Sequence, residues 1–472
     1  MSFTERLHFK TIHELAPKIA GGELSPLDLT KDLLAHIEKA EPALGSYALI
    51  TADLAMQQAR AATEEIQRGN YRGPLHGIPV AVKDLIYIKG LPAACGSEIL
   101  RGWQPDYDAT VYSKLEAAGA IIVGKQAMTE FALFGYHPSY QPPRNPWNPD
   151  YWSGVSSSGS GVGTAAGLCF ASLGSDTGGS IHFPAAANGI VGLKPTYGRV
   201  SRYGVFPLAQ SLDHIGPMTR SVADAGIVLN AIAGYDTNDP TSLHPELPDL
   251  SNFLNRDLKG FRIGFDRRYA LDLADPPVGD HMMSALEVFS KLGAKIVDID
   301  IASITDSANY WFAQTAVEAA WQHREYFPAA EKIYGPAFHT FLTYGHQCKA
   351  TVLVESQLAR ERTRHTLQSA FQKVDVILCP AAPMPTPPVT DFPPQIVLPP
   401  EALPPVEAFV APFNFSGHPT LSLPCGFTDN KMPLSLQLVA ALQQEQNLIL
   451  AGHAFEQATD YQQIPPIAVK AE

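Results

Sequence analysis

The sequence predicts an α/β fold in which a mixed, twisted central sheet is sandwiched between helices. Runs of β-branched and other apolar residues, typical of buried strands, alternate along the chain with segments whose apolar residues recur at helical spacing. Hydrophobic residues make up 45% of the 472 residues and charged residues only 17%, which indicates a globular protein with a large core. The 40 prolines and 36 glycines indicate long ordered loops between these elements.

The first seventy residues are expected to be helical. Ser25 and Pro26 mark a helix start, because Ser is a good N-cap and Pro is tolerated at the first helical position. The apolar residues that follow at helical spacing are Leu29, Leu33, Leu34 and Ile37. A second helix is predicted from Leu54 to Ile66, and it ends near Gly69.

Strands and helices alternate from residue 78 onward. The first half of Ile78 to Ile88 is predicted to be a buried strand, and a helix from Val111 to Ala118 leads into a strand from Ala120 to Gly124. Further on, the segments RIGFD, KIVDID and VDVILCP are predicted strands, with long helices between them. A proline-dense loop at 380–412 is followed by the strands PTLSLPCGF and LSLQLVA and by a helix from 445 to 459.

Composition excludes several classes of function. The net charge of −13 argues against nucleic acid as a partner, because phosphate contacts need a basic face. The five scattered cysteines include no CxxC pair, which favours a reduced, cytoplasmic protein over disulfides or zinc ligands. We find no apolar signal segment, no run of eighteen apolar residues, no HExxH and no strand before the look-alike GVGTAA. No membrane span, metal or other cofactor is therefore predicted.

The stretch from Tyr151 to Arg199 contains the strongest functional signal. Two clusters of small hydroxyl and glycine residues, SGVSSSGSG and GSDTGGS, flank the apolar run GTAAGLCFASLG. Glycine lets backbone approach a ligand closely, and the turns can direct hydroxyls and N–H groups at one point. A hydrolase that attacks with a serine needs both features.

Each motif also has a plainer interpretation. Lys83 near a strand end can be a neutral base if buried, or an ordinary lysine paired with Asp84. GSDTGGS can form an oxyanion hole beside its own nucleophile, or a glycine turn. SGVSSSGSG can gather three hydroxyls, or it can cap the helix that follows, and both can hold at once.

Several motifs, in one order along the chain, resemble those of the amidase signature family. The two serines that are catalytic in that family lie 24 positions apart, and here 180 − 156 = 24. The resemblance covers nearly the whole chain and is loosest between about residues 245 and 370. The matching segments are GIPVAVKD (77–84), GVSSSG (154–159), GSDTGGSIHFP (174–184), GLKPTYGRVSRYG (192–204), SLDHIGPMTRSVAD (211–224) and FNFSGHPTLSLPCGF (413–427).

The resemblance implies hydrolysis of a carboxylic amide, to an acid plus ammonia or amine, without a metal or cofactor. Ser180 would be the nucleophile, Ser156 the bridging serine and Lys83 the base. The surrounding residues would be Ser157, Ser175, Asp176 and His182. The oxyanion would be held by the N–H groups of Thr177, Gly178, Gly179 and Ser180.

Two positions depart from the commonest form of the family's motif. Val155 precedes the bridging serine where glycine is more usual, and the resemblance implies a cis Val155–Ser156 peptide bond. His182 stands where the family usually has arginine, so its surroundings are expected to repack or to change the pH dependence.

We expect a single amidase domain over residues 1–472. Its parts would be an N-terminal helical segment at 1–70, the signature core at 71–235, a variable substrate-pocket segment at 245–370 and C-terminal strands and a helix at 371–462. The pocket would be walled by the loop from Met128 to Tyr140 and by the variable segment. The aromatic residues of that loop could bind an aryl group, but core packing is the preferred interpretation of Phe131, Phe134, Tyr136 and Tyr140.

Two other functions stay open. The first is the glutaminase subunit of a tRNA-dependent amidotransferase, although RYGVFPLAQSLDHIGPMTRS and HAFEQATDYQQIPP resemble stand-alone amidases more. The second is a non-catalytic binding protein on the amidase scaffold, suggested by Val155 and His182. The expected partner is a small-molecule amide substrate, and the family suggests a homodimer.

Overall fold

Eleven strands form one mixed sheet in the computed structural model, which describes residues 6–397 and 407–467. The strands lie side by side in the order β1-β3-β2-β4-β6-β5-β10-β11-β9-β7-β8. They span β1 (Tyr47–Ile50), β2 (Pro79–Lys83), β3 (Ile121–Gln126), β4 (Ala171–Asp176), β5 (Val191–Lys194), β6 (His214–Thr219), β7 (Arg262–Phe265), β8 (Lys295–Asp298), β9 (Val376–Pro380), β10 (Thr420–Phe427) and β11 (Pro433–Ala440).

Two groups of parallel strands are joined by antiparallel ones. Strand β2 pairs in parallel with β3 and β4, and β7 pairs in parallel with β8 and β9. The strands between them, from β4 through β6, β5, β10 and β11 to β9, pair antiparallel. Because β2 and β4 are parallel neighbours, their carboxyl ends meet at one edge, where Lys83 and Asp176 are the last strand residues.

Helices lie between the strands along the chain and pack against the sheet and one another. The α-helices are α1 (Ile12–Ala20), α2 (Pro26–Leu44), α3 (Ala52–Gln67), α4 (Thr110–Ala117), α5 (Ser158–Ala165), α6 (His182–Asn188), α7 (Val222–Ile232), α8 (Arg267–Leu271), α9 (Pro276–Lys291), α10 (Ser307–Gln322), α11 (Pro336–Gln347), α12 (Ala350–Phe371), α13 (Ala411–Ser416) and α14 (Glu445–Gln457). In the part of the chain that the structure describes, none of them has the length and apolar character that crossing a bilayer would take.

The predicted helix starting at Ser25 and Pro26 is confirmed, and the Ser25 side chain accepts a hydrogen bond from the Asp28 N–H. The expectation that the first seventy residues are helical is wrong in one place. Residues 47–50 form β1, which pairs antiparallel with β3 at the edge of the sheet. Four residues are too few to show a period, and pairing with β3 decides their conformation.

The remaining predicted strands are found within a few residues of their expected bounds. The proline-dense loop predicted at 380–412 falls partly outside the described residues, which omit 398–406, and α13 begins at Ala411.

Candidate active site

Lys83 lies at the end of β2 with its ammonium group among three serine hydroxyls. Its Nζ donates hydrogen bonds to Ser156 Oγ at 2.6 Å, Ser157 Oγ at 2.9 Å and Ser175 Oγ at 2.8 Å. An ammonium group has three donors, so these neutral hydroxyls satisfy all of them without a carboxylate. The lysine and the three serines are buried, which brings together residues 73 to 92 positions apart in sequence.

Burial lowers the pKa of Lys83 to about 7. Removing a charge from water disfavours the protonated form, and the hydroxyls around it offer too little compensation. The negative charges of Asp176 and Asp213 act in the opposite direction without restoring the usual value. Near neutral pH this lysine can therefore exchange a proton with a neighbouring hydroxyl, as a general base must.

The plainer interpretation of Lys83, a pair with Asp84, is wrong. Successive side chains of a strand point to opposite sides, and Asp84 turns to Lys125 on β3, with Nζ–Oδ1 at 3.1 Å. The second Asp84 oxygen accepts the Cys95 N–H at 2.8 Å. The Asp84 carboxylate therefore points away from Lys83, although the two residues are adjacent in sequence.

The Ser156 and Ser157 hydroxyls are aimed at Lys83 by an unusual entry into α5. The Val155–Ser156 peptide bond is cis, as the resemblance implies. Gly154 before it has a φ of +89°, and a Cβ there would lie 2.3 Å from the Cα of Pro184, so only glycine fits. The Ser157 side chain makes no capping bond to α5 and donates instead to the Ser175 carbonyl at 3.1 Å.

Asp176 folds the segment after β4 into a tight turn around its carboxylate. Its Oδ1 accepts the Gly179 N–H at 2.8 Å, and its Oδ2 accepts the Ile181 N–H at 2.5 Å. Asn414 on α13 donates to the same carboxylate at 2.7 Å. Burial alone would raise the pKa of Asp176, but His182 and these N–H groups outweigh it and hold the pKa below its ordinary value.

Ser180 emerges at the far side of this turn. Ser180 is buried, with 7% of its surface exposed. Its carbonyl accepts the Ser157 N–H at 3.3 Å, so the candidate nucleophile lies beside the Ser156–Ser157 segment. Gly179 has a φ of +112°, and a Cβ there would meet the Phe183 ring at 2.5 Å. Of the four N–H groups proposed for an oxyanion, that of Gly179 is already donated to Asp176.

His182 and Asp176 could be mistaken for two members of a Ser-His-Asp triad with Ser180. The imidazole Nδ1 lies 2.8 Å from Asp176 Oδ2, which fits such a triad. The other nitrogen, Nε2, lies 2.5 Å from Thr420 Oγ1 on β10. Both nitrogens are therefore occupied, and His182 ties the Asp176 turn to the centre of the sheet rather than acting on Ser180.

Comparison with known proteins identifies the family of this chain. The family model described as Amidase matches residues 28–449. The chain belongs to the amidase family. Enzymes of this family hydrolyse amide C–N bonds, and that is the activity class of this amidase.

Three relatives illustrate the range of similarity. The protein named "Putative amidase AmiD" of Mycobacterium tuberculosis is 41% identical over 458 residues, covering 96% of this chain and 95% of its own length. A glutamyl-tRNA(Gln) amidotransferase subunit of Chloroflexus aurantiacus is 37% identical over 483 residues, covering 96% and 98%. The solved structure of the peptide amidase from Stenotrophomonas maltophilia is similar with a TM-score of 0.81 and 28% identity, covering 97% and 98%.

A cavity of about 270 Å³ adjoins the site of this amidase at Ser175 and Thr177. The two segments expected to wall the substrate pocket contribute little to this cavity. The loop from Met128 to Tyr140 supplies only Ala132, and the segment 245–370 supplies only Gln322. Half of the lining residues come from the segment 202–213, whose side chains include Arg202, Phe206 and Asp213.

Three of the four aromatic residues of the 128–140 loop pack in the interior. The Phe131 ring packs at a tilt against Phe206 and Phe338, with ring centroids 5.0 and 5.1 Å apart. The Tyr136 hydroxyl shares a short hydrogen bond with Ser158, and the Tyr140 hydroxyl donates to the Ser97 carbonyl at 3.0 Å. Core packing, the preferred interpretation, is confirmed for Phe131, Phe134 and Tyr136, whereas Tyr140 is only partly buried.

Sequence reasoning missed four residues that support the site of this amidase. Asn414 and Thr420 lie in FNFSGHPTLSLPCGF and Asp213 in SLDHIGPMTRSVAD, so the motif matches contained them but gave them no role. Asp213 accepts the Thr177 hydroxyl at 2.6 Å. The fourth is Trp311 on α10, whose indole N–H donates to the Thr177 carbonyl at 2.7 Å. No motif in a single sequence marks it.

Proposed function

We propose that this amidase is a stand-alone amidohydrolase that cleaves a carboxylic amide through an acyl-enzyme on Ser180, with Ser156 and Lys83 as its proton relay. The observation that carries the proposal is the environment of Lys83. A buried lysine with a pKa of about 7 lies 2.6 Å from Ser156 Oγ, and its hydrogen-bond partners among the described residues include no carboxylate. This is the arrangement that a neutral lysine base requires.

The relay moves one proton and returns it. Neutral Lys83 Nζ takes the proton of Ser156 Oγ, which takes the proton of Ser180 Oγ as that oxygen bonds to the amide carbon. When the C–N bond breaks, the proton returns through Ser156 to the leaving nitrogen. Water then attacks the ester carbon by the same relay, which releases the acid and restores the Ser180 hydroxyl and neutral Lys83.

The developing oxyanion is assigned chiefly to the N–H groups of Gly178 and Ser180, with Thr177 beside them. In the described part of the chain the N–H groups of Thr177, Gly178 and Ser180 have no protein acceptor, whereas the Gly179 N–H is held by Asp176. Donors that are fixed before the substrate arrives stabilise negative charge without the cost of reorganisation.

The alternative is the glutaminase component of an amidotransferase, which hydrolyses glutamine for a partner. The 37% identity to the amidotransferase subunit of Chloroflexus aurantiacus keeps it open, since the family match does not separate the two. The 41% identity to AmiD and the segment RYGVFPLAQSLDHIGPMTRS favour the stand-alone enzyme. The non-catalytic alternative is disfavoured by the surroundings of Lys83. A proton relay requires a buried lysine in contact with serine hydroxyls, whereas ligand binding alone does not require that arrangement.

The identity of the amide, a homodimeric state, a single-domain architecture and a cytoplasmic location stay predictions. The substrate is proposed to be a small-molecule amide, and no cofactor or nucleic acid is proposed to take part.

The test is release of ammonia or amine from acetamide, benzamide, amino-acid amides and glutamine, with Ser180→Ala as the control. We expect turnover of at least one amide and complete loss in the variant. A fluorophosphonate should label wild-type Ser180, and mass spectrometry of the labelled peptide checks the site. Activity that survives Ser180→Ala contradicts the mechanism, and turnover of glutamine alone favours the amidotransferase component.

A further inference from the structure

We propose that Trp311 is a positioning residue for this reaction: its indole N–H fixes the peptide unit that presents the Gly178 N–H to the oxyanion. The inference rests on the proposed function. Trp311 lies on α10, within the segment that the sequence assigns only to the substrate pocket, and it is 4% exposed.

The indole and the proposed oxyanion lie on opposite sides of one peptide unit. Trp311 Nε1 donates to the Thr177 carbonyl oxygen at 2.7 Å. That carbonyl and the Gly178 N–H belong to the same planar trans peptide, so they point in opposite directions. A bond that holds the carbonyl toward α10 therefore aims the N–H toward the side where the substrate carbonyl must lie.

Gly178 gives the indole the space it needs. A Cβ on Gly178 would lie 2.2 Å from Trp311 Cζ2 and 2.5 Å from Cε2, closer than any side-chain contact allows. Gly178 has no left-handed φ, so the requirement for glycine at this position comes from the ring and not from the backbone. The indole thus donates a hydrogen bond to the Thr177–Gly178 peptide and is also in van der Waals contact with it.

The loop before β6 also holds Thr177, through its side-chain hydroxyl. The Thr177 hydroxyl donates to Asp213 Oδ1 at 2.6 Å. The Asp213 carboxylate also accepts the N–H groups of Leu208 and Ala209, at 3.0 and 3.2 Å, so its own position is fixed. Thr177 is therefore held at its carbonyl by α10 and at its hydroxyl by the loop before β6.

Helix α10 holds that loop as well. Glu318, seven residues after Trp311 and so on the same face of the helix, accepts the Ser211 N–H at 2.9 Å and the Ser211 hydroxyl at 2.5 Å. Gln314, between them on that face, donates to Glu318 at 2.5 Å. One face of α10 therefore sets both supports of Thr177, directly through Trp311 and indirectly through Ser211 and Asp213.

The experiment compares Trp311→Phe with Trp321→Phe, a matched control on the same helix whose side chain is 66% exposed. Phenylalanine keeps an aromatic ring but removes the N–H. The readouts are kcat and KM on the best amide of the panel, and the rate constant for phosphonylation by an alkyl fluorophosphonate. In that reaction Ser180 Oγ bonds to phosphorus, fluoride leaves, and the phosphoryl oxygen takes the oxyanion position.

We expect Trp311→Phe to lower kcat and the phosphonylation rate by about tenfold, less than the 10²- to 10³-fold loss of a direct oxyanion donor, with KM within about twofold of wild type. Trp321→Phe should leave all three unchanged. A Trp311→Phe enzyme that matches the control, or that changes only KM or stability, overturns the proposal. Activity that survives Ser180→Ala instead overturns the proposed function, whatever Trp311→Phe does.

A second variant keeps the proposal testable if Trp311→Phe fails to fold. Gly178→Ala leaves the indole N–H in place but forces the ring off the peptide, so it should show the same kcat-selective loss. Where Trp311→Phe does fold, the smaller ring removes the collision in the double variant, whose kcat should equal that of Trp311→Phe alone because only one interaction is lost. Losses that multiply in the double variant, or a Gly178→Ala enzyme with wild-type kcat, contradict the assignment.

Discussion

Among the described residues, the hydrogen-bond partners of the Lys83 side chain are all serine hydroxyl groups. A carboxylate at the same distance would hold the proton on the lysine, because an opposite charge raises its pKa. Asp84 has the right chemistry to do so but is turned away by strand alternation. The reactivity of this lysine is therefore decided by the position of one carboxylate.

The pH dependence of kcat/KM should reveal the titration of Lys83. Activity requires the neutral amine, and burial lowers its pKa to about 7, so kcat/KM should rise with pH through about 7 and then level off. Lys83→Arg should be inactive at every pH, because a guanidinium stays protonated. The profile is measured on an uncharged amide between pH 5 and 9, and a profile without a rise across this range would contradict the assignment.

The residue-level prediction from sequence was strongest where a motif dictates a backbone shape. The turn GSDTGGS and the segment GVSSSG specify glycines and hydroxyls at fixed offsets, and the structure places Ser156, Ser157 and Ser175 around Lys83. Trp311 could not be predicted, since its role depends on how α10 docks, and docking leaves no local pattern. The cavity wall at 202–213 was missed for the same reason.

At the scale of elements, the two sides of β2 have separate tasks. Lys83 faces the serines, and Asp84 pairs with Lys125 of the neighbouring strand, with both partners buried. Lys125 also donates to the Pro92 carbonyl at 2.6 Å, so the pair ties β2 and β3 to the loop that follows β2. The proposed base and one partner of a buried ion pair are therefore adjacent residues at the carboxyl end of β2.

Asp84→Asn should lower the free energy of unfolding by about 3 kcal/mol, because it leaves the Lys125 ammonium buried without its counter-charge. The pH profile of kcat/KM should keep its midpoint, since the charge lies on the other side of the strand. Urea unfolding and the pH profile check the two parts. Lys125→Met added to Asp84→Asn should recover part of the loss, and a double variant that is simply additive would show that the two residues are uncoupled.

The same parallel pairing explains which elements the sequence could predict. β-branched runs at 79–83 and 121–126 identify themselves as buried strands, because a parallel strand is apolar on both sides. The edge strand β1 is half exposed and only four residues long, so it was hidden among helices. The strand order of the sheet could not be predicted from periodicity at all.

At the scale of the whole molecule, buried lysines set part of the pH dependence of stability. Burial lowers the pKa values of both Lys83 and Lys194 to about 7. Between pH 7 and 10.5 each of these lysines is protonated in the unfolded chain but neutral in the native state, so each contributes stability that grows with pH. Groups whose pKa is raised by burial act in the opposite direction: Glu407 over this whole range, and above about pH 8.5 the thiols of Cys95, Cys169, Cys379 and Cys425.

Each lysine should therefore contribute up to about 1.4 kcal/mol per pH unit to the rise of the free energy of unfolding between about pH 7 and 8.5. In Lys83→Met, which cannot titrate, the slope of the free energy of unfolding against pH should be lower than in the wild type by about that amount. Urea midpoints at several pH values measure both. A slope that is unchanged in Lys83→Met would show that Lys83 is not neutral in the native state.

The order of strands in the sheet also determines the stage of synthesis at which this enzyme can become active. Strands β10 and β11, near the end of the chain, lie in the middle of the sheet between β5 and β9. Thr420 and Asn414, which tie down His182 and Asp176, arrive with them. A chain still being translated can already carry Lys83, Ser156 and Ser180 outside the ribosome, yet its sheet is open at the centre. Hydrolysis should therefore begin only after β10 and β11 have been synthesised, and a chain truncated before residue 411 should be inactive although it contains Lys83, Ser156 and Ser180.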